Sequence, residues 1–395
     1  MNKPVIVQKF GGTSVGTIES IRTVAEHIIN AKQAGNHVAV VVSAMSGETN
    51  RLASLAKQVD SVPNARELDV LLSSGEQVSM ALLAMTLNKL GHKACSLTAA
   101  QANIYTNSQH NDATITCIDT KRIDDLFADG NIVIVAGFQG ITANGDITTL
   151  GRGGSDTTAV TLAGSLKAQE CQIYTDVDGV YTCDPRVVPD SKKLEVVDFP
   201  SMEIMARKGA KVLHLPSVQY ARENNVPLRV LSTFEHNQGS LIEGEKVQRD
   251  VTGIAICRDM LLVEVEECQL ASAKSQCQML GITVCNVIKR ADCVGIVIEH
   301  GSISKLDLVF GEKIRNSSLV SLLTVVGLQA KGIIKSSKQL LMERDIAVVD
   351  YSLESLSLTF VLSQECIDDA AHVLHDAYIA QSQVFDSHQR QVFLG

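Results

Sequence analysis

The sequence predicts an α/β protein, a sheet carrying helices on its faces followed by a duplicated α+β region. Three observations predict it. Short β-branched runs alternate with longer amphipathic stretches over the first half, which is the pattern of a sheet covered by helices. Glycines punctuate the ends of the helical stretches, as at Gly35 and Gly91. After residue 252 the chain runs twice through strand, helix, strand, strand.

Taken in order, strands are expected at 5–9, 38–43, 93–98, 132–137 and 172–176, with helices at 20–34, 49–59, 75–90 and 155–168 and a helical region at 200–208. Asn144-Gly145 within 141–150 reads as a tight hairpin turn, so the sheet should be mixed, though largely parallel. A polar, turn-rich stretch at 235–239 and a short return at 241–242 precede a domain boundary expected near 245–252. The first domain is then 1–247. Beyond it, strands are expected at 254–257, 261–266, 283–289, 293–299 and 307–310 around a helix at 271–280. A second round has strands at 319–326, 347–351 and 357–362 and helices at 332–343 and 366–378. The duplicated units are placed at 252–315 and 316–386, the latter completed by a strand from 252–266.

Composition narrows the function. At 395 residues and 45% hydrophobic content the chain can build two or three packed cores. A net charge of −9 disfavours a protein that grips a nucleic-acid backbone, while leaving room for a local basic pocket that binds a nucleotide. No run of 18–20 uninterrupted apolar residues indicates a membrane span, and residues 1–9 lack the pattern of a secretory signal, so a cytoplasmic location without membrane or nucleic-acid partners is expected. The ten cysteines include no C-x-x-C pair and no metal-ligand ladder; most are expected as small buried hydrophobes in a reducing compartment. His372 and His375, three apart on a helix, are read as a solvated face in preference to a metal site.

The chemistry is concentrated in five segments. Lys9-Phe10-Gly11-Gly12-Thr13-Ser14-Val15-Gly16 leaves the first strand and enters a helix. Glycines there admit close approach of a ligand, successive N–H groups and a helix N-terminus favour anions, and Lys9 adds a full positive charge. The segment is either a phosphate site or an ordinary strand–turn–helix corner. It fits neither the P-loop nor the G-x-G-x-x-G fingerprint. Ser43-Ala44-Met45-Ser46-Gly47-Glu48-Thr49-Asn50 follows the second strand, Ser74-Gly75-Glu76-Gln77 opens a helix, and Gly151-Arg152-Gly153-Gly154-Ser155-Asp156 begins another. The fifth segment is Tyr174-Thr175-Asp176-Val177-Asp178-Gly179-Val180-Tyr181-Thr182-Cys183-Asp184-Pro185-Arg186.

In this order the five segments resemble the aspartate kinases of the amino acid kinase family, and the resemblance covers about the first 245 residues. It implies a three-layer sandwich around the sheet, a second half of paired ACT (ferredoxin-like) domains, and use of ATP and Mg²⁺ to phosphorylate L-aspartate on the path to lysine, threonine and methionine. For such a reaction Lys9 is expected to span the transferred phosphate, Gly11 and Gly12 to donate backbone N–H groups, Ser14 to belong to the phosphate and ATP site, and Asp156 to orient Lys9 or the metal shell. The resemblance also implies that Thr175, Asp176, Tyr181, Arg186, Lys211 and Val212 line the nucleotide, and that Ser43, Thr49, Glu76, Phe138, Arg152 and Ser155 surround the amino acid. Mg²⁺ is then held mainly by nucleotide oxygens. Taken singly, the hydroxyls of Ser43, Thr49 and Ser155 read equally as helix caps, Tyr181 as core packing and Lys211 as a solvated lysine. Cys183 stands where the family commonly has threonine.

The chemistry demanded is consistent with the residues. An aspartate side chain, with an unperturbed pKa near ~3.9, is ionised at neutral pH and needs no general base, and none of the ten histidines lies in the five segments. Arg152 can grip a carboxylate through a bidentate fork and Glu76 can hold an ammonium group. In the second half the resemblance implies a homodimer or dimer of dimers and a lysine or threonine effector. Departures there, Glu267-Cys268-Gln269-Leu270 and Gln329-Ala330-Lys331-Gly332 without the family's Pro-Gly turn, and the strand Val348-Val349-Asp350-Tyr351-Ser352, lead us to expect weak or altered feedback. Competing readings are another amino acid kinase and a catalytically idle amino-acid sensor on the same scaffold.

Overall fold

Eight strands form the central sheet of the amino-terminal part of the chain, in a computed structural model that describes residues 3–290, 292–305 and 314–380. The strand expected at 307–310 and the end of the second repeat at 381–386 lie outside the described residues. Two compact units are present. One holds the chain up to Val180 with Glu195–Phe199 and Val212–Gly244, and the other holds Tyr181–Leu194, Pro200–Lys211 and the chain from Glu245. The division is thus not one cut near 245–252, because two earlier segments pack with the second unit.

In chain order the elements up to residue 182 are β1 (Val5–Phe10), α1 (Ile18–Gln33), β2 (His37–Val42), α2 (Glu48–Val59), α3 (Ala65–Lys89), β3 (Ala94–Leu97), β4 (Ile104–Thr106), β5 (Ile115–Ile118), α4 (Lys121–Ala128), β6 (Ile132–Ala136), β7 (Gln139–Ile141), β8 (Ile147–Thr149), α5 (Gly154–Ser165), β9 (Glu170–Thr175) and β10 (Val180–Tyr181). There follow β11 (Lys193–Leu194), β12 (Val196–Val197), α6 (Phe199–Arg207), α7 (Leu215–Glu223), β13 (Leu228–Ser232) and β14 (Ser240–Ile242).

The large sheet has the order β12-β14-β13-β9-β1-β2-β6-β3, parallel throughout except for the β13–β14 pair. The hairpin around Asn144-Gly145 belongs to a separate four-stranded sheet, β5-β4-β7-β8, so it is β14 that makes the main sheet mixed. Burial on both faces explains why β2 and β6 are almost purely aliphatic. On one face Ile21, Val24 and Ile28 of α1 and Leu83 and Leu87 of α3 close over Phe10, Val40 and Ile134. On the other, α5 packs on β1 and against α7. Short helices α4 and α7 carry too few turns for periodicity to reveal them, and sequence reading passed over both.

α3 is longer than expected. It starts ten residues before Gly75, at an N-cap where the Asn64 side chain accepts from the Arg66 and Glu67 N–H groups. Its 25 residues are long and apolar enough to cross a membrane by length and composition alone, although Arg66, Glu67, Asp69 and Glu76 interrupt the apolar run. Half of the apolar window is buried inside the first unit, and the helix carries the buried carboxylates of Asp69 and Glu76. Gly75 sits inside the helix because a Cβ there would come within 2.8 Å of the Ala44 Cβ.

The second unit is built on β15 (Gly253–Val265), α8 (Leu270–Met279), β16 (Val284–Lys289), β17 (Val294–Glu299), β18 (Asn316–Val326), α9 (Ile334–Met342), β19 (Val348–Glu354), β20 (Ser357–Leu362) and α10 (Ile367–His375). Its six strands are antiparallel in the order β16-β17-β15-β18-β20-β19, the two rounds joining through β15 and β18. The strands expected at 254–257 and 261–266 are one strand with a bulge between Cys257 and Met260, where Asp259 takes φ +56°.

Two expectations about single residues are corrected here. His375 is fully buried, with Nε2 2.9 Å from Thr182 Oγ1, while His372 stays half-buried. Only Cys171, Cys183 and Cys277 are fully buried; five cysteines are half-buried and Cys117 and Cys268 are exposed. Burial pushes the Cys183 thiol up to about 12.

Candidate active site

Parallel strands end on the same side of a sheet, and ligands collect in the crevice beyond those ends where the strand order reverses. Here β1 lies between β2 and β9, and Lys9-Gly12, Ser43 and Phe138 follow or finish β1, β2 and β6. They meet the start of α5 and the face of α3 around a cavity of about 320 Å³. Lys9, Gly12, Ser43, Thr49, Glu76 and Phe138 line it, together with Arg152, Ser155 and Asp156.

One wall is cationic and paired. Lys9, 9% exposed, is held on both sides by the sheet, opposite Val41 and Ile173. Its Nζ lies 2.6 Å from Asp156 Oδ1. Asp156 occupies the first turn of α5, where a negative charge is favoured by the helix dipole. A Cβ on Gly12 would fall 3.0 Å from the Ala44 carbonyl oxygen, so the backbone has to be bare there. Two residues expected at the phosphate have partners within the protein. The Gly11 N–H donates to the Tyr174 carbonyl at 3.3 Å, and Ser14 is fully buried with its hydroxyl 2.6 Å from Thr233 Oγ1. Neither lines the cavity.

The other wall holds a carboxylate and a cation apart. Glu76, 3% exposed, accepts from the Ala44 N–H through Oε1 at 3.1 Å, while Oε2 has no hydrogen-bond partner among the described residues. Desolvation raises its pKa to about 7, against the lowering effect of the Ala44 hydrogen bond. Arg152 is exposed at the rim and makes no ion pair among the described residues. Phe138 holds φ +69°, a backbone state that costs energy for an aromatic residue. It is pinned by its N–H to Thr158 Oγ1 and by the Leu150 N–H on its carbonyl.

The alternative of helix caps for the three hydroxyls does not hold. α2 is capped at Gly47 and α5 at Gly153, both with positive φ and no side-chain cap bond, and α3 by Asn64. Ser43, Thr49 and Ser155 keep their side chains at the cavity.

The six residues expected around the nucleotide divide between the units. Thr175 ends β9, with Oγ1 bonded to Asp176 at 3.0 Å, and Asp176 is exposed; Val212 also belongs to the first unit. Tyr181, Arg186 and Lys211 belong to the second, where the exposed Arg186 guanidinium forks onto Asp184 at 2.7 and 3.0 Å. None of the six lines the cavity.

Sequence reasoning missed His214. A Cβ on Gly153 would lie 2.3 Å from its ring, so the imidazole backs the turn that starts α5. Burial depresses its pKa, partly offset by Asp156. Only the requirement for glycine at 153 hinted at a close neighbour, and no spacing pointed to residue 214.

Residues 4–232 match the model of the amino acid kinase family, and the chain belongs to that family. Its relatives within that family include aspartokinases. It is 41% identical over 399 residues to the aspartokinase of Geobacillus stearothermophilus, covering 95% of this chain and 97% of that one. It is 56% identical over 259 residues to the aspartate kinase of Pseudomonas putida, a match spanning 65% of this chain and only 63% of that protein. Its fold is that of E. coli aspartokinase III, solved in complex with aspartate and ADP, with a TM-score of 0.77 at 24% identity over 94% of this chain and 99% of that chain.

Proposed function

We propose that the chain transfers the γ-phosphoryl group of ATP to the β-carboxylate of L-aspartate, giving 4-phospho-L-aspartate at the head of lysine, threonine and methionine synthesis in the cytoplasm. The observation that carries this reading is the pairing, in one cavity, of a phosphate-side wall at Lys9 and Asp156 with an amino-acid wall at Arg152 and Glu76.

Two anions have to be brought together, so the residues supply charge and position rather than proton transfer. Arg152 takes the α-carboxylate through its planar fork. The free Oε2 of Glu76 takes the α-ammonium, which favours the ionised carboxylate that burial disfavours. Ser43, Thr49 and Ser155 supply hydroxyls, and Phe138 closes the apolar side. The β-carboxylate, already ionised, then faces the phosphorus in line, while Lys9 draws the negative charge that spreads over the transferred oxygens. Asp156 holds the Lys9 ammonium in place, and the N-terminus of α5 adds its positive end.

The donor set fits Mg²⁺ carried by the nucleotide. Besides Glu76 the cavity offers one carboxylate, Asp156, already engaged by Lys9, and Mg²⁺ readily keeps water and phosphate oxygens as ligands. When bound, the ion neutralises charge on the nucleotide oxygens. In the nucleotide part of the reading, Thr175, Asp176, Tyr181, Arg186, Lys211 and Val212 line ATP, and Gly12 carries the phosphate-loop role that the committed N–H of Gly11 does not.

The second unit, in this reading, is a pair of ACT-like repeats through which copies of the chain form a homodimer or a dimer of dimers. Lysine or threonine acts there weakly, because the turns after the first strand of each repeat lack Pro-Gly. Titrating both amino acids into the assay tests this, and strong inhibition by either at sub-millimolar concentration would sink it. The primary test is ADP release from ATP and Mg²⁺ with aspartate, glutamate or acetylglutamate as acceptor. Release with aspartate well above the others is expected. Release with another acceptor would assign a different amino acid kinase, and none at all would assign a sensor.

A further inference from the structure

Asp69 is fully buried, and the transfer chemistry does not use it. A carboxylate taken out of water is costly unless its oxygens are occupied, and these are. Oδ1 accepts from the Thr149 hydroxyl at 2.5 Å and from the Asn111 N–H at 3.1 Å. Oδ2 accepts from the same N–H at 3.2 Å and lies 2.7 Å from His110 Nδ1.

The partners lie on two separate pieces of chain. Thr149 is the last residue of β8, three residues before Arg152, and its carbonyl accepts from the Ala113 N–H at 2.9 Å. The turn at Gly151 takes φ +70° and runs so close to residues 111–112 that a Cβ would meet Asp112 Oδ1 at 3.0 Å. Asp69 and Glu76 lie seven residues apart on α3, hence on one face about two turns or ~10 Å along it. One rigid helix therefore carries Glu76 and, through Asp69, fastens the segment that ends in Arg152.

We propose that Asp69 is a positioning residue that fixes the separation of Arg152 from Glu76, and thereby the length of amino acid the cavity accepts. The proposal rests on the aspartate reading given above. If those two groups hold the α-carboxylate and α-ammonium, their spacing decides whether a side chain of one or two methylenes presents its carboxylate to the phosphate wall. A methylene is ordinarily worth a 10–200-fold discrimination, and a displaced loop would erode it.

Asp69→Asn keeps the volume but turns one acceptor into a donor facing His110 or Asn111. Thr149→Val removes only the hydroxyl. With the whole chain, we expect Asp69→Asn to raise KM for aspartate about 10-fold or more, leave KM for ATP within about 2-fold, and lower the aspartate-to-glutamate ratio of kcat/KM about 10-fold. Thr149→Val should act in the same direction by roughly 3-fold, and carries the test if Asp69→Asn does not fold. Unchanged aspartate KM, or equal changes in both substrates' KM, would overturn the proposal. Hydrogen–deuterium exchange of residues 150–153 separates this from the functional reading. If the unaltered chain phosphorylates no aspartate, that reading fails, while faster exchange in either variant still supports the positioning role and unaltered exchange defeats it.

Discussion

In the first unit β2 and β6 run parallel and are buried along nearly their whole length, whereas the six-stranded sheet of the second is antiparallel and its edge strand β19 alternates half-buried with exposed residues. The difference bears on where chemistry can sit. Parallel strands deliver all their carboxyl ends to one edge, so the polar residues just beyond β1, β2 and β6 converge on one cavity. An antiparallel sheet sends alternate ends to opposite edges and gathers no such set. The buried polar groups of the first unit include a carboxylate with an open oxygen, Glu76, while those of the second, paired as in Thr324–Thr359 and Thr182–His375 or open as at the Ser321 and Ser357 hydroxyls, include no open carboxylate oxygen among the described residues.

The comparison breaks first at Lys9. Lys9→Ala should lower kcat by roughly 10³–10⁵-fold, the range seen when a cation is taken from a transferring phosphoryl group, with an unchanged circular dichroism spectrum. Near-normal turnover would show that the parallel edge is not where transfer occurs. In the second unit the largest effect is expected on stability. Phe360, fully buried in the core that also holds Leu323 and Leu374, should cost about 3–5 kcal/mol on replacement by alanine, read from urea unfolding. Loss of aspartate affinity in that variant without loss of stability would blur the distinction between the units.

Glu76 sharpens the contrast through pH. Burial raises the folded pKa to about 7 against an ordinary 4.5, so the folded chain holds this proton to higher pH than the unfolded chain does. Its contribution to stability is therefore present below 4.5 and is lost as pH rises through 7. Ammonium binding needs the ionised form, so KM for aspartate should rise as pH falls below about 7, up to 10-fold per pH unit, with KM for ATP unaffected. Glu76→Gln should raise KM for aspartate by about 10²-fold at neutral pH and flatten that dependence. A profile that survives the substitution would remove Glu76 from the ammonium site. The smallest effect is expected at Thr182→Val, which strands the buried His375 nitrogen and should cost about 1–2 kcal/mol of stability in the second unit with no change in pH profile.

Legibility followed locality. Lys9 was readable because a hydrophobic run stops there and glycines begin, and Arg152 and Asp156 because a glycine-rich turn opens a helix, whereas Ser43 and Phe138 were named through the resemblance to the aspartate kinases. The start of α3 was misplaced because Gly75 reads as a helix beginning, although a glycine can also mark close packing, here against Ala44. Ser14 was placed at the phosphate by the resemblance, and its bond to Thr233, a residue more than two hundred positions away, left no local signal. His214 and Asp69 left no local signal, since each acts through a neighbour distant in sequence.

By itself the sequence determined the α/β class and the duplicated second half, because hydrophobic period and turn residues are local properties of the chain, and the order of the five segments carried the resemblance through which nine residues around the cavity were named. The tertiary structure alone decided which polar atoms are already taken and which stay open: Gly11 given to Tyr174, His375 to Thr182, Asp69 to Thr149, Asn111 and His110, and Glu76 left with a free oxygen. Hydrogen bonding and desolvation depend on distances between remote segments, and only packing sets those distances.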